Sequence, residues 1–476
     1  MPSYTSPGVY IQDVVSGSQT IDQAASSIGA MIGVAISGPI NIAEKIGSWT
    51  EYIEKFAKGL ASPFDANNYL PYSVYGFFQN GGKELYIINV RDSATKATAT
   101  GSDCKLVVTA AYEGAWGNSI KVTYAKNADW SASNLAYDVT IEIGSSFKTT
   151  IAECYITDII DKLNSSEELS GIVTFAIGAA TALAEEEVTL SGGTNGNALT
   201  DAKYIDALNA LDVLDDVTLV AIPGQTSTAV NDGLISYCEN HGLFPMIDAP
   251  VAYTPAQAKT YRKTISAFTG AFAYPWGKMN DPLTDSLKSV PTAGHLMGVY
   301  ARVIEERGVF KAPAGTDAQV RGFIEMVTVL TPANISTLNP VGVICICSRP
   351  NAGIVVWGAR SLNSSDTTMR YVSDGLLNLN IKRSLYNGTQ FAVFEPNDEN
   401  LWSRVNTSCK AFLEMLRQQG ALKGEPDEAY YVTVDSSNNT PATIAAGQLN
   451  IEIGYAPVKP AEFVIIKLAH SIVVAE

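Results

Sequence analysis

Three histidines, His241, His295 and His470, are all the imidazole this 476-residue chain carries, and general-base and metal chemistry lean on that side chain. Cys238 and His241 in "CENH" have half of a zinc-type spacing, but a structural site needs four ligands and no second pair lies near in sequence. "AIPGQTSTAV" follows a strand pattern and opens a helix pattern, so its backbone N–H groups could hold an anion; it lacks the lysine of a P-loop. "EEE" (Glu185, Glu186, Glu187) and "IEERG" (residues 304–308) set carboxylates side by side. An acid–base pair needs environments that split the two pKa values, and consecutive glutamates in linker-like sequence read more plainly as a solvated face. H-E-x-x-H, G-x-S-x-G and G-x-x-x-x-G-K-[ST] are absent. The residues therefore predict no catalytic, cofactor-binding or metal-binding site.

Six cysteines are scattered along the chain, and only Cys345 and Cys347 in "VGVICICSRP" are close. That segment reads as a buried strand, on which the two share a face. Small core residues in a reducing compartment is the plain reading.

Hydrophobic residues make up 46% and charged residues 17%, which predicts a globular chain. At roughly 100–200 residues per domain the length predicts several domains, or one core with insertions. The net charge of −16, with no basic stripe, argues against nucleic acid as a partner. The N-terminus lacks the pattern of a secretory signal. The longest apolar run, "IGAMIGVAI", falls short of the ~20 residues a bilayer span needs, so no membrane insertion is expected.

The elements that would position any site fall into blocks. "SPGVYIQDV" is an extended arm. "IGAMIGVAI" and "KELYIINVRD" read as strands, with helices over "SWTEYIEKFAKG" and "NYLPYSVYGFFQN" between them. Composition shifts at "SATKATATGSD". Short turn-bounded strands follow ("KLVVTA", "NSIKVTYAK", "YDVTIEIG", "VTLSGG"), broken by one helix around "ECYITDIIDKLNSS". From Asp201 onward, helices alternate with "VTLVAIPG", "LFPMID" and "GAFAYPW", which predicts a parallel sheet with helices on its faces. "GIVVWGARSL", "QFAVFEPND", "EAYYVTVD" and "QLNIEIGYAPVKPAEFVIIKLA" read as strands. "ENLWSRVNTSCKAFLEMLRQQG" is the clearest helix. Leu401, Trp402, Val405, Phe412, Leu413 and Leu416 share one face, Asn397 or Asp398 caps its start, and Gly420 ends it.

Several segments are recognisable together. "SPGVYIQDV", "FFQNGGKELYIINV", "AYEGAWGNSIKV", "AFAYPWGKMNDP", "VPTAGHLMGVYARVIEERGVFKAPAG", "GIVVWGARSL", "AVFEPNDENLW" and "GYAPVKPAEFVIIKL" stand in this order. In type and order they resemble the contractile tail sheath family, whose members coat the tube in phage tails, R-type tailocins and related injection systems. Gly114 follows Glu where the family often has Pro-Gly, and Glu305 stands where Asp is usual; neither touches an inferred function.

The pattern and the resemblance together imply an α+β multidomain protein. Residues 1–20 form an N-terminal extended arm and 21–95 the first part of the core. Residues 96–200 form a mostly β outer insertion and 201–350 an α/β, subtilisin-like domain. Residues 351–455 form a mixed α+β inner domain facing the tube, and 456–476 a C-terminal strand arm. No serine-protease triad can be placed on the α/β region, so that likeness concerns fold and not catalysis. The resemblance implies a structural, non-enzymatic subunit that polymerises helically around an inner tube and contracts to drive it through a cell envelope. Its implied partners are other copies of itself, the inner tail tube protein, and baseplate and tail terminator proteins. It implies assembly in the bacterial cytoplasm and residence in a virion tail or an extracellular contractile particle. A non-phage injection system or tailocin is the neighbouring alternative. An α/β-domain enzyme is the alternative of another class, and it predicts a reactive cluster.

In the family the terminal arms leave their own subunit and add strands to adjacent ones. Here the inter-subunit arm residues are Pro7, Gly8, Val9, Tyr10 and Ile11 at one end and Phe463, Val464, Ile465, Ile466 and Leu468 at the other. Pro7, Pro457 and Pro460 set these segments off, and proline stiffens the chain and lacks an N–H. Such a strand adds to an open edge through backbone hydrogen bonds. Hinges are expected at residues 16–19 and 454–460. Lys410 and Arg417, on the polar face of the clearest helix with Glu414, are candidates to meet acidic tube residues, with Lys459 a weaker one.

Overall fold

In a computed structural model of the protein, residues 20–131, 133–463 and 465 are described. The apolar run "IGAMIGVAI" supplies the middle of the largest sheet. Strand β1 (Gly29–Gly33) is buried along its whole length, as a parallel strand covered on both faces must be. Its neighbours are β2 (Glu44–Ile46), β3 (Leu85–Asn89), β4 (Leu219–Ala221), β5 (Phe244–Asp248), β6 (Ala271–Tyr274), β7 (Val343–Arg349) and β8 (Gly353–Val356). The order across the eight-stranded sheet is β8-β7-β6-β5-β4-β1-β3-β2. All pairings are parallel except the two at the edges, β7 with β8 and β2 with β3.

The period of two along β1 sorts its side chains between two cores. Ala30 and Ile32 join Ile88, Val220, Leu234 and Cys238 in one buried cluster. This cluster includes residues of helix α2 (Thr228–His241) and α3 (Pro255–Arg262). On the other face, glycine lets two helices approach. A Cβ on Gly29 would lie 2.5 Å from Met297 Sδ, and one on Gly33 would lie 3.0 Å from Leu70 Cβ. Those partners sit on α1 (Leu70–Gln79) and α4 (Ala293–Arg307). Cys345 and Cys347 lie in the same cluster as Ala30, and all six cysteines are buried without a disulfide.

One edge of this sheet is covered and the other is short. The outer side of β8 is covered by the chain before it: Val320 N–H donates to Ile354 O at 2.9 Å and Val356 N–H to Ala318 O at 3.0 Å. At the other side β2 is only three residues long, and its Lys45 is held by Glu84 and Asp216, each at 2.9 Å.

Between β3 and β4 lies a mostly β region. A four-stranded antiparallel sheet (Glu186–Thr189, Ile120–Lys126, Tyr137–Ile143, Phe147–Cys154) and a three-stranded one (Thr98–Thr100, Val107–Ala110, Val173–Ala176) share a core of their own. Tyr137–Ile143 alternates buried and half-buried residues strictly, the half-covered pattern antiparallel sheets allow.

By compactness, residues 20–24 with 380–459 form one unit, and residues 25–379 with 460–463 and 465 form another. The smaller unit holds the end of α5 (Val372–Gly388), helix α6 (Glu399–Gln418), and the two-stranded antiparallel sheet of β9 (Tyr430–Thr433) and β10 (Glu452–Tyr455). Helix α6 matches its sequence pattern. All six stripe residues are buried, Asp398 caps Leu401 N–H at 2.9 Å, and Gly420 follows the end at φ +87°.

Two expectations need correction. "QFAVFEPND" is not a strand but a 3-10 turn (Gln390–Ala392) and a loop. Its apolar alternation leads nowhere, since Phe394 takes φ +65° and is fully exposed. The stretch from Gln448 to Ala469 was expected to be strand, yet its described part pairs only at β10 and at a Pro457–Leu422 bridge; Pro457 and Pro460 have no N–H to extend the ladder.

Candidate functional site

The residues that could do chemistry are each engaged elsewhere. Cys238 turns into the core, and burial pushes its thiol well up. His241, on the next turn, lies at the surface, its Nδ1 2.9 Å from Tyr237 O and its ring stacked on Tyr237. Among the described residues no group of three or more His, Cys, Asp or Glu is placed to hold a metal ion.

In "AIPGQTSTAV", Ser227 Oγ caps α2 by accepting from Val230 N–H at 3.1 Å. The Gly224 N–H is already donated, at 3.2 Å, to the buried carboxylate of Asp248. Asp248 also accepts from Thr292 and Ala293 N–H at 2.9 and 2.8 Å, where α4 begins. Burial pushes its carboxyl up to about 6 against the pull of those amides. An internal carboxylate thus already takes one amide of this loop, which an external anion would otherwise use.

Glu186 accepts from the Ser102 hydroxyl at 2.8 Å and from Asp103 and Cys104 N–H at 3.2 and 3.0 Å. Glu187 pairs with Lys121 at 2.8 Å, and Glu185 with Lys126 at 3.2 Å. Glu305 accepts from Ser27 Oγ and Lys83 Nζ, both at 2.7 Å. These carboxylates fasten chain segments rather than face one another.

His295 is fully buried on α4, stacked on Phe323 at 3.9 Å between ring centroids, with no hydrogen-bond partner at either ring nitrogen. Burial holds it neutral, its pKa lowered to about 3. It touches the bare Cα of Gly76, where a Cβ would lie 2.2 Å from Cε1.

What remains is the region where the described parts of the terminal segments meet the rest of the chain. On the C-terminal side, β9 and β10 pair Tyr430 with Tyr455 and Val432 with Ile453. The chain stays anchored just beyond: Lys423 N–H donates to Ala456 O at 2.8 Å and Val458 N–H to Ala421 O at 3.0 Å. Residues 454–458, most of the expected hinge, are therefore tied down. The next anchor is Glu462. Its carboxylate accepts from Arg360 Nε and Nη2 at 2.9 and 2.8 Å, from Tyr371 OH at 3.0 Å, and from Asn339 Nδ2. Past it, Phe463 and Ile465 are 72% and 81% exposed. Pro7, Gly8, Val9, Tyr10, Ile11, Val464, Ile466 and Leu468, with the expected hinge at 16–19, lie outside the described residues.

On the N-terminal side, the chain runs along α5. Asn380 Nδ2 donates to Ala24 O and Ala24 N–H to Ser384 Oγ, both at 2.8 Å, and the side chain of Ile21 reaches Gly388. Positions 380, 384 and 388 recur at the spacing of one helical face.

The candidates on α6 differ in availability. Lys410 is exposed. Arg417 is half-buried and donates through Nε and Nη2, both at 2.8 Å, to Glu414. Glu414 also accepts from Gln418 and Tyr430, and these donors, Arg417 first, hold its carboxyl down at about 2. Lys459 is exposed. Sequence reasoning missed the setting of Glu462 altogether; its only trace was the arginine in "VWGARSL" and the glutamate in "KPAEF".

Two family models match the chain: phage tail sheath protein central domain over residues 197–362, and phage tail sheath C-terminal domain over residues 365–469. The tail sheath protein of Salmonella phage ViI is 23% identical over 336 residues, 67% of this chain and 50% of its own. That of Vibrio phage KVP40 is 22% identical over 202 residues, 42% of this chain and 29% of its own. The chain thus spans half or less of these curated relatives. Among solved structures, the anti-feeding prophage helical sheath in its contracted state aligns at TM-score 0.61 and 23% identity, covering 98% of this chain and 100% of that one. The sheath complex of the extracellular contractile injection system PVC, also contracted, aligns at 0.62 and 22%, covering 99% of each. A sheath tail protein from Desulfitobacterium hafniense aligns at 0.63 and 18%, covering 90% of this chain and 94% of that one. At these identities the structural likeness is one of fold.

Proposed function

Because the chain belongs to the phage tail sheath family, we propose that it is a structural subunit of a contractile sheath. It polymerises helically around an inner tube by lending its terminal strands, and contracts to drive the tube through a cell envelope. The carrying observation is the β9–β10 sheet. It has two strands only, and no third described strand pairs with either. A two-stranded sheet is marginal alone, and a strand added by a neighbouring copy would extend it through backbone hydrogen bonds that supply affinity. Lender and acceptor surfaces differ, so the contact is heterologous and propagates as an open helix where rotation does not close. The "VYIQDV" and "EFVIIKLA" segments carry the β-formers for such strands.

On this reading the mostly β region is the outer insertion, the α6 and β9–β10 region faces the tube, and tube, baseplate and terminator proteins are the partners. The central sheet, parallel with helices on both faces, is subtilisin-like in arrangement and carries no catalysis. The particle is assembled in the bacterial cytoplasm. Phage tails and extracellular injection systems share this reading, and capsid and terminase genes beside this one identify a phage.

Electron microscopy of the purified full chain tests it. Hollow cylinders are expected, and a chain lacking residues 1–19 and 463–476 is expected to form none. Cylinders from that shortened chain refute strand lending.

A further inference from the structure

Arg360 and Tyr371 oppose each other across an isolated antiparallel bridge, flanked by Ser361 N–H to Arg370 O at 2.7 Å and Val372 N–H to Ala359 O at 2.9 Å. Opposed residues project to one side of such a ribbon, which brings guanidinium and phenol together. The 3-10 turn Asn339–Val341 adds the Asn339 amide. Three separate parts of the chain thus aim donors at one point, and both oxygens of the Glu462 carboxylate lie there.

A surface ion pair of ordinary kind contributes little. This one differs in geometry and burial. The arginine fork engages the carboxylate with two nitrogens, and the Arg360 and Glu462 side chains are only 15% and 17% exposed. Burial works against the charge of Glu462, but Arg360, Asn339 and Tyr371 outweigh it and hold the carboxyl below its usual range. Pro460 and Ala461, just before it, have little side chain to anchor. Phe463 and Ile465, just after it, are exposed.

We propose that Arg360, Tyr371 and Asn339 form a carboxylate cradle whose ligand is Glu462 of the same chain, which makes Glu462 the positioning residue that fixes where the C-terminal segment departs. The inference rests on the strand-lending reading and sharpens it. The lent strand begins after Glu462, and its direction is set by a fork-to-carboxylate contact rather than by the proline spacer alone. An amide at 462 would turn a donor toward the guanidinium, and a lysine at 360 would lose the fork.

The test uses the full chain. Its native cysteines are all buried, so a spin label on Ile465→Cys reports on the root of the segment in the unassembled subunit. Unlabelled chains report the threshold concentration for cylinder formation. Glu462→Gln and Arg360→Lys are each expected to raise label mobility at an unchanged thermal midpoint. Each is expected to lift the threshold by about tenfold or more, the scale of one lost charge-assisted hydrogen bond. Unchanged mobility, or an unchanged threshold, in both variants overturns the cradle. Deleting residues 463–476 separates the two ideas. If that chain assembles at the normal threshold, strand lending by the C-terminal segment fails, and with it the cradle's role in it. If it does not assemble while Glu462→Gln does so normally, the cradle alone fails.

Discussion

Ile21 occupies the space a side chain on Gly388 would need: a Cβ there would lie 2.5 Å from Ile21 Cγ2. Ile21 is 5% exposed, so it has no room to withdraw. Gly388→Ala should therefore lift residues 20–24 off α5. The expected cost is about 1–3 kcal/mol, the range for overpacking a filled site. Denaturant unfolding measures it, and faster hydrogen exchange at the Ala24 amide, now donated to Ser384 Oγ, places it.

The β9–β10 sheet, proposed above as the acceptor, has a similar weak point. Gly454 pairs with Tyr431, and a Cβ on Gly454 would lie 2.1 Å from the Tyr431 ring. Gly454→Val should push Tyr431 aside and distort the β9–β10 ladder. Cylinder formation is expected to fail while the near-ultraviolet signal of the rest of the chain persists. Normal cylinders from this variant would show that β9–β10 is not the acceptor.

Tube binding should separate Lys410 from Arg417. Lys410 is exposed, whereas Arg417 already spends its fork on Glu414. Lys410→Glu is expected to abolish co-assembly with the tube and leave sheath-only cylinders intact. Arg417→Glu is expected to weaken α6 itself, by facing Glu414 with a like charge, and so to lower the thermal midpoint. Tube co-sedimentation unchanged in Lys410→Glu removes that residue from the interface.

Acid should act on two groups at the start of one helix in opposite senses. His295 is held at about 3 when folded, below its ordinary ~6.5. The unfolded chain binds the proton first, and stability falls as pH drops from about 6.5 toward 3. Asp248, which caps the same helix, is raised to about 6. The folded chain binds that proton first, so its contribution grows as pH falls through 6 toward the ordinary carboxylate range. Each slope reaches at most about 1.4 kcal/mol per pH unit. Asp248→Asn should therefore lose stability more steeply than the parent between pH 6 and 4, and His295→Leu less steeply. Urea midpoints across that range decide it, and parallel curves for all three chains would refute the assignment.

Where burial is one-sided or complete over a short run, the sequence was readable. The α6 stripe and the β1 run each carry one pattern with one physical meaning. Helices α4 and α5 escaped because α4 is buried nearly all round, from Ala293 to Ala301, and α5 mixes small and polar residues, so neither shows a one-faced period. "QFAVFEPND" misled in the other direction, since its alternation carries no pairing partner. The arms were read from β-formers behind prolines, and most of their residues lie outside the described ones. The seat of Glu462 was not, because its ligands stand 91 to 123 residues away and only folding brings them together.

The sealed β8 and the short, charged β2 bear on valence. A molecule made to join others in series must have few joining points, or its growth branches into a gel. With one edge of the largest sheet covered and the other ending in a strand of three residues, its long ladder offers little lateral seam to a passing copy. Uncapping β8, for example by Val320→Pro, should add an unwanted seam and turn orderly cylinders into tangled precipitate.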